Sequence, residues 1–170
     1  SKIPDEPAQP SLLDKIKSAI AEGEGTKREY KSTLRWHIHA KRNDDVITHA
    51  CLKTIAGFLN TDGGELLIGV ADDGEILGLE SDGFDNDDKF MLHLFQHVKG
   101  ALGESTATMV NAQTQTIDGK SVCLVTCQRS PSPVFLTFKK QDEEFYVRTG
   151  PGSTKLGVSD SMKYIKEHFD

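Results

Sequence analysis

Glu24 and Glu29 lie five residues apart, one in a glycine turn and one in the short alternating segment that follows. An aspartate pair, Asp72-Asp73, occupies a later Asp-Asp-Gly turn. Three carboxylates from these places, with Lys31 nearby, would suit Mg²⁺ or Mn²⁺, because hard cations take oxygen ligands and a bound cation activates water for phosphodiester hydrolysis. The plainer use of the same residues is structural. Acids are common in turns, and Glu29 has basic neighbours to pair with, so spacing alone favours the plainer use.

His37 and His39 would share one face of a strand. With His49 they could approach a zinc site, but no fourth ligand stands at a helpful spacing. Contact with a phosphate or a base fits better, with Trp36 or Tyr30 as a stacking platform, and so does a simple loop anchor in which Trp36 fills the edge of the core. Residues 27–42 carry six cations (Lys27, Arg28, Lys31, Arg35, Lys41 and Arg42) against Glu29 alone, a local +5 within a chain of net −6. The acidic total argues against coating nucleic acid by bulk charge, whereas a basic strip on an acidic body suggests a localised anion-binding face or a solvated loop. The candidate nucleic-acid contacts are these six cations together with His37 and His39. Gly63-Gly64 and Gly150-Pro-Gly152-Ser-Thr154 could each offer backbone N–H groups to phosphate. The chain holds no Walker A loop, dinucleotide fingerprint, nucleophile elbow or HExxH.

The elements that must position these residues centre on Lys53–Gly78. An apolar-periodic helix ends in Asn60-Thr-Asp-Gly63-Gly64, a buried run Leu66–Val70 follows, and Asp72-Asp73-Gly74 turns it back through Ile76-Leu77. Paired glycines supply the positive φ angles of a helix stop, and Asp-Gly between apolar runs signals a hairpin. Upstream, Ser11 caps a first helix with Leu12, Leu13, Ile16, Ala19 and Ile20 at helical spacing. Lys27–Ser32 reads as a strand and 33–44 as a long connection. Asp44 or Asp45 caps the second helix, striped by Ile47, Cys51, Ile55 and Phe58. An acidic loop, 82–88, leads to a third helix through Met91, Leu94, Phe95, Val98 and Ala101. The second half changes to strands: Ala107–Ile117, Val122–Cys127, Val134–Phe138 and Glu144–Arg148, before the Thr149–Thr154 glycine loop and a closing helix over 159–168. The expected fold is α+β, a mixed β-sheet with packed helices.

At 170 residues, 36% hydrophobic and 27% charged, the chain fits one domain with an adequate core. No apolar run approaches the roughly 20 residues of a membrane span. Cys123 and Cys127 fall on one strand face, roughly 13 Å apart at about 3.3 Å per residue, too far for a disulfide. Cys51 falls on an apolar helix face, so buried thiols in a reducing cytoplasm are expected. Residues 1–10 carry three prolines and no apolar period. They read as a linker or tag remnant before a domain at 11–170, and the missing initial Met suggests further covalently linked domains.

Taken together, Glu24…Glu29-Tyr-Lys-Ser, then Phe58-Leu-Asn60-Thr-Asp-Gly63-Gly64-Glu-Leu-Leu-Ile-Gly69-Val70, then Asp72-Asp73-Gly74…Gly78 resemble the Schlafen AlbA_2 domain. Phe145-Tyr-Val-Arg148-Thr-Gly with Ser153-Thr154 resembles that family's C-terminal portion, so the resemblance covers roughly 11–168. It implies a single Schlafen AlbA_2-like lobe and a nucleic-acid-binding module, for DNA or RNA, within a multidomain protein of bacterial type. Animal Schlafens resemble the chain in the same region and include RNA-cleaving enzymes that use two glutamates and an aspartate. Their positions carry over to Glu24, Glu29 and either Asp72 or Asp73. The second function so implied is a metal-dependent endoribonuclease with Mg²⁺ or Mn²⁺ on Glu24, Glu29 and Asp72. The Schlafen nuclease core has two lobes where this chain has one, which implies a homodimer to restore the clamp. A third reading is a protein-interaction or dimerisation scaffold in which Asn60, Gly63, Gly64 and Gly69 are purely structural.

Overall fold

A computed structural model of the chain describes residues 3–5 and 8–169. The expected linker falls partly outside these residues, and what is described of it has no regular structure. In chain order the elements are α1 (Leu12–Glu22), β1 (Arg28–Lys31), β2 (Trp36–His37), β3 (Arg42–Asn43), α2 (Asp45–Leu59), β4 (Gly64–Ile68), α3 (Asp87–Leu102), β5 (Val110–Ile117), β6 (Lys120–Cys127), β7 (Phe145–Thr149), β8 (Gly152–Leu156) and α4 (Val158–His168). Two 3₁₀ turns, Glu80–Asp82 and Thr106–Met109, precede α3 and β5.

The helix starts follow capping chemistry. The Ser11 hydroxyl accepts from the Asp14 N–H at 3.1 Å, the Asp44 carboxylate from Val46 and the Asn86 amide oxygen from Lys89, each satisfying a first-turn donor.

The main sheet runs β1-β4-β6-β5, with β1 parallel to β4 and the remaining pairs antiparallel, so it is mixed as expected. Both faces are covered, which explains the unbroken apolar run in β4. Leu66 and Ile68, with Cys123, Val125 and Cys127 of β6, face the core under α2 and α3. Leu67, with Val122 and Leu124, faces a smaller core under Ile16 and Ala19 of α1. The Leu66–Leu77 hairpin forms, though its return reaches only a single Val70–Ile76 bridge.

α2 is apolar around most of its circumference because it is packed on two sides. The sheet lies on one side, and the β7–β8 ribbon lies so close on the other that a Cβ at Gly57 would stand 3.0 Å from Ser153 Oγ. The three cysteines are buried free thiols.

Three expectations change. Residues 33–44 are not structureless, since Trp36–His37 and Arg42–Asn43 pair as a small antiparallel ribbon. Val134–Phe138 is not a strand: only Leu136 bridges Glu144. The partner of β7 is the expected glycine loop, where Gly152–Leu156 pairs back through a turn at Gly150-Pro151. Alternation cannot tell a strand from an extended segment without a hydrogen-bonding neighbour.

Candidate nucleic-acid interface

Side chains alternate across β1, sending Tyr30 to one face and Glu29 with Lys31 to the other. Tyr30 is buried beneath α1, where its hydroxyl donates to the Ala19 carbonyl at 2.7 Å. It is therefore no stacking platform.

Glu29 is buried against α2 and β7. Oε1 accepts from Arg148 Nη1 at 2.5 Å, and Oε2 from Thr54 Oγ1 at 2.6 Å, with Lys31 Nζ at 3.0 Å. Burial pushes the Glu29 carboxyl up, but hydrogen bonds from Thr54 and Arg148 and the Lys31 charge more than offset it, and the group stays ionised below the usual range. Arg148 is almost wholly buried. Its Nη2 donates to the carbonyls of Gly25, Arg28 and Pro151, and its guanidinium lies 4.7 Å from the Phe58 ring centre. The two Nη groups of the planar fork make this clamp, which ties β1, the 23–26 turn and the β7–β8 turn together, while Nε is buried without a partner among the described residues.

Glu24 does different work. β1 is an edge strand, and Glu24 Oε1 accepts from the outward Tyr30 N–H at 2.9 Å while Gly25 and Arg28 bridge beside it. The turn blunts an edge that would otherwise invite pairing. Asp73 accepts from the Glu75 N–H and shapes its turn, and Asp72 is exposed. Glu24 and Glu29 thus meet separate partners, and Asp72 stands exposed. Among the described residues no three His, Cys, Asp or Glu side chains are grouped to hold a metal ion. The lone pairs of Glu29 are already engaged, with two cations against them, so these residues do not fit the Mg²⁺ or Mn²⁺ expected there. His49 does not join His37 and His39 either: it pairs with Glu144 at 3.1 Å and stacks on Phe138.

What the fold does gather is an open cleft of about 320 Å³ between the end of β1, the β2–β3 ribbon and the first turns of α2. Lys31, Trp36, His37, Ile38, His39 and Asp72 meet there, over Ile47 and Ala50. His37 Nδ1 accepts from the Ala40 N–H at 3.0 Å, which leaves Nε2 as the donor of the neutral ring. Lys41 and Arg42 lie exposed on the same ribbon, Arg42 only 3.7 Å from Asp44.

The rest of the basic strip disperses. Lys27 is exposed ahead of β1. Arg28 turns to the α1 side and pairs with Glu22 at 3.0 Å. Arg35 lies 3.8 Å over the Phe84 ring and donates through Nε to the Asp82 carbonyl, so it serves the fold. Neighbours in sequence diverge here because strand alternation and a tight ribbon point them to different faces.

Two residues organise the site in roles that the sequence motifs do not assign. Asp82 is buried and accepts from the N–H groups of Leu34, Arg35 and Trp36 at 2.7–2.9 Å, which sets where the ribbon begins. Nothing in its acidic loop distinguishes it from its neighbours. Arg148 did leave a signal, a cation directly after the apolar run Phe145–Val147 and within the family-like segment.

The glycine motif itself is structural. Asn60 is buried; its amide donates to the carbonyls of Val134 and Tyr146, and its oxygen accepts from the Val134 N–H at 2.8 Å. Its own carbonyl accepts from the Tyr164 hydroxyl at 2.6 Å. Gly63 sits at φ +76°, where a Cβ would fall 2.7 Å from the Cys127 carbonyl, and a Cβ on Gly64 would meet the Phe58 ring at 2.5 Å. The Gly69 carbonyl accepts from both Leu77 and Gly78 and closes the central hairpin.

Similar folds are known. The DIP2311 protein from Corynebacterium diphtheriae superposes with a TM-score of 0.63 at 15% identity over 94% of this chain, which spans 32% of that protein. The solution structure of the N-terminal domain of a RecG-related protein from Nitrosomonas europaea, named for an ATP-dependent DNA helicase, gives 0.51 at 19% identity, covering 88% of this chain and 95% of that domain. No curated protein matches the sequence. The sequence model of the Schlafen, AlbA_2 family matches residues 24–157, a narrower span than the resemblance read from motifs. That span holds β1, the cleft, the Asn60–Gly69 motif and the Arg148 clamp, and the chain belongs to the Schlafen, AlbA_2 family.

Proposed function

We propose that this domain is a nucleic-acid-binding module that takes a single strand of RNA or DNA across the β2–β3 ribbon. The observation that carries the reading is the cleft itself, where Lys31, His37 and His39 adjoin Trp36 and Ile38, with Lys41 and Arg42 on the same ribbon. Cations and imidazole donors suit phosphate, while an exposed apolar residue and an indole suit the face of an unpaired base. Family membership and the likeness to a domain of a helicase-related protein support it. On a chain of net −6 the cations of this patch supply the attraction to phosphate, so the affinity falls with salt in proportion to the phosphates they neutralise.

The test is fluorescence anisotropy of labelled tRNA and single-stranded DNA in Mn²⁺ or EDTA, with Lys31→Ala and the Lys41→Ala/Arg42→Ala pair. Weakened binding in both variants supports the reading, and unchanged affinity overturns it. Cleavage in Mn²⁺ alone would instead favour the endoribonuclease reading and require Glu29 to leave Arg148.

A second reading, a protein-interaction or homodimer module, has its own observation. Val158, Met162 and Phe135 stay exposed around a shallow apolar groove along α4. A monomer in analytical ultracentrifugation at all concentrations would remove the homodimer.

A further inference from the structure

His93 and His97 stand one helical turn apart on α3, away from the proposed cleft. Their Nε2 atoms lie 3.1 Å apart, and their ring planes cross at 74°. Two nitrogens at that separation, each about 2.0–2.1 Å from a zinc ion, subtend roughly 100° at the metal, between square and tetrahedral geometry. The spacing is set before any ion arrives. Buried Phe90, Leu94 and Val98 fix α3 against the sheet, His93 packs 4.9 Å from the Phe84 ring, and His97 lies 6.0 Å from Phe138. Burial lowers the pKa of both rings, so each is neutral with a lone pair to offer near pH 7. Arg35 and Lys139 add positive charge nearby, and Asp82 and Asp45 oppose it. Both rings are only partly buried, which leaves room for water on the ion; a hollow of about 280 Å³, lined by Gly100, Thr137 and Lys139, opens beside His97.

We infer that His93 and His97 form a two-imidazole chelate for a borderline divalent transition ion, with the remaining coordination positions filled by water. Imidazole selects Cu²⁺, Ni²⁺ and Zn²⁺, with Cu²⁺ held most tightly, whereas Mg²⁺ and Ca²⁺ prefer oxygen. The ring that donates through Nε2–H moves its proton to Nδ1, where the accepting ring already carries its own, and the hydrogen bond between the Nε2 atoms gives way to two metal bonds. His37 and His39 are the competing pair, but their ring centres stand 6.2 Å apart and His37 Nδ1 is taken by Ala40.

The test titrates the domain, free of any histidine tag, with Cu²⁺, Zn²⁺ and Mg²⁺. Calorimetry gives stoichiometry and affinity, and Cu²⁺ broadening of amide NMR signals gives location. One Cu²⁺ or Zn²⁺ per chain is expected, with broadening centred on residues 90–100 and no response to Mg²⁺. Loss of an outer-shell partner commonly costs about 10–100-fold in metal affinity, so His93→Ala or His97→Gln should cost about tenfold or more. The His37→Ala/His39→Ala pair should change little. Broadening centred on His37 and His39, unchanged affinity in both α3 variants, or no binding would overturn the site. Should His93→Ala fail to fold, the broadening map of the unaltered protein still decides.

Discussion

Glu29 and Arg148 hold each other inside the protein, and each would be costly to leave alone. Glu29→Ala strands a guanidinium whose side chain is 1% exposed. Removing one partner of a buried pair costs about 3–5 kcal/mol, and urea denaturation should read a loss of that order. A drop of under about 1 kcal/mol, the scale of an exposed pair, would show that Arg148 finds other partners. The pair also gives a pH signature, together with Glu144, which accepts from Lys155, His49 and Tyr146. Burial pushes both carboxyls up, but their hydrogen bonds and neighbouring cations hold both below the ordinary 4.5. The unfolded chain therefore takes up protons first as pH falls. The stability these groups contribute is complete above about pH 4.5 and is lost as pH drops through their folded values. Urea midpoints measured from about pH 6 to about pH 3 should fall mainly below that value, and an Arg148→Met variant should show a shallower fall.

Elements meet at single residues in this fold. The end of α2 is joined to the 134 segment, β7 and α4 by Asn60, which makes three side-chain hydrogen bonds. Asn60→Ala leaves two buried carbonyls and one N–H without that partner; at about 1–3 kcal/mol for each unsatisfied group, the domain should lose several kcal/mol in denaturant titrations. Asn60→Asp should rescue little, because a carboxylate accepts from Val134 but donates to neither carbonyl. The β2–β3 ribbon is the opposite kind of element, short and solvent-facing. Replacing Lys41 and Arg42 by alanine should leave the thermal midpoint unchanged while lowering the salt slope of single-strand binding by about 0.7 for each phosphate no longer neutralised. An unchanged slope would move the interface elsewhere.

At the scale of the whole molecule, the main sheet divides the core in two, and its larger half encloses all three thiols. Burial pushes Cys51, Cys123 and Cys127 up to about 12, so none is a thiolate near neutral pH. A thiol reagent should label the native domain only as fast as it opens and should label all three cysteines at once in denaturant; rapid labelling of one in the native state would show a local opening.

The sequence by itself determined the helices, the Ser11 cap of the first, the central hairpin and the burial of the run in β4, because these depend on local turn chemistry and on periods of 3.6 and two. It also carried the family, since Asn60, Gly63 and Gly64 are demanded by close approaches that few other residues could meet. Tertiary structure alone decided which neighbours share a site. Glu24 and Glu29 look like a pair in the chain, yet one caps a strand edge and the other meets Arg148, 119 residues away. The six cations of the basic strip look continuous, yet only part of them reaches the cleft and its ribbon. Spacing along a backbone sets the direction in which a side chain leaves it, while the partner it meets comes from segments far along the chain, and that meeting settles whether a charge is spent on the fold or left for a ligand.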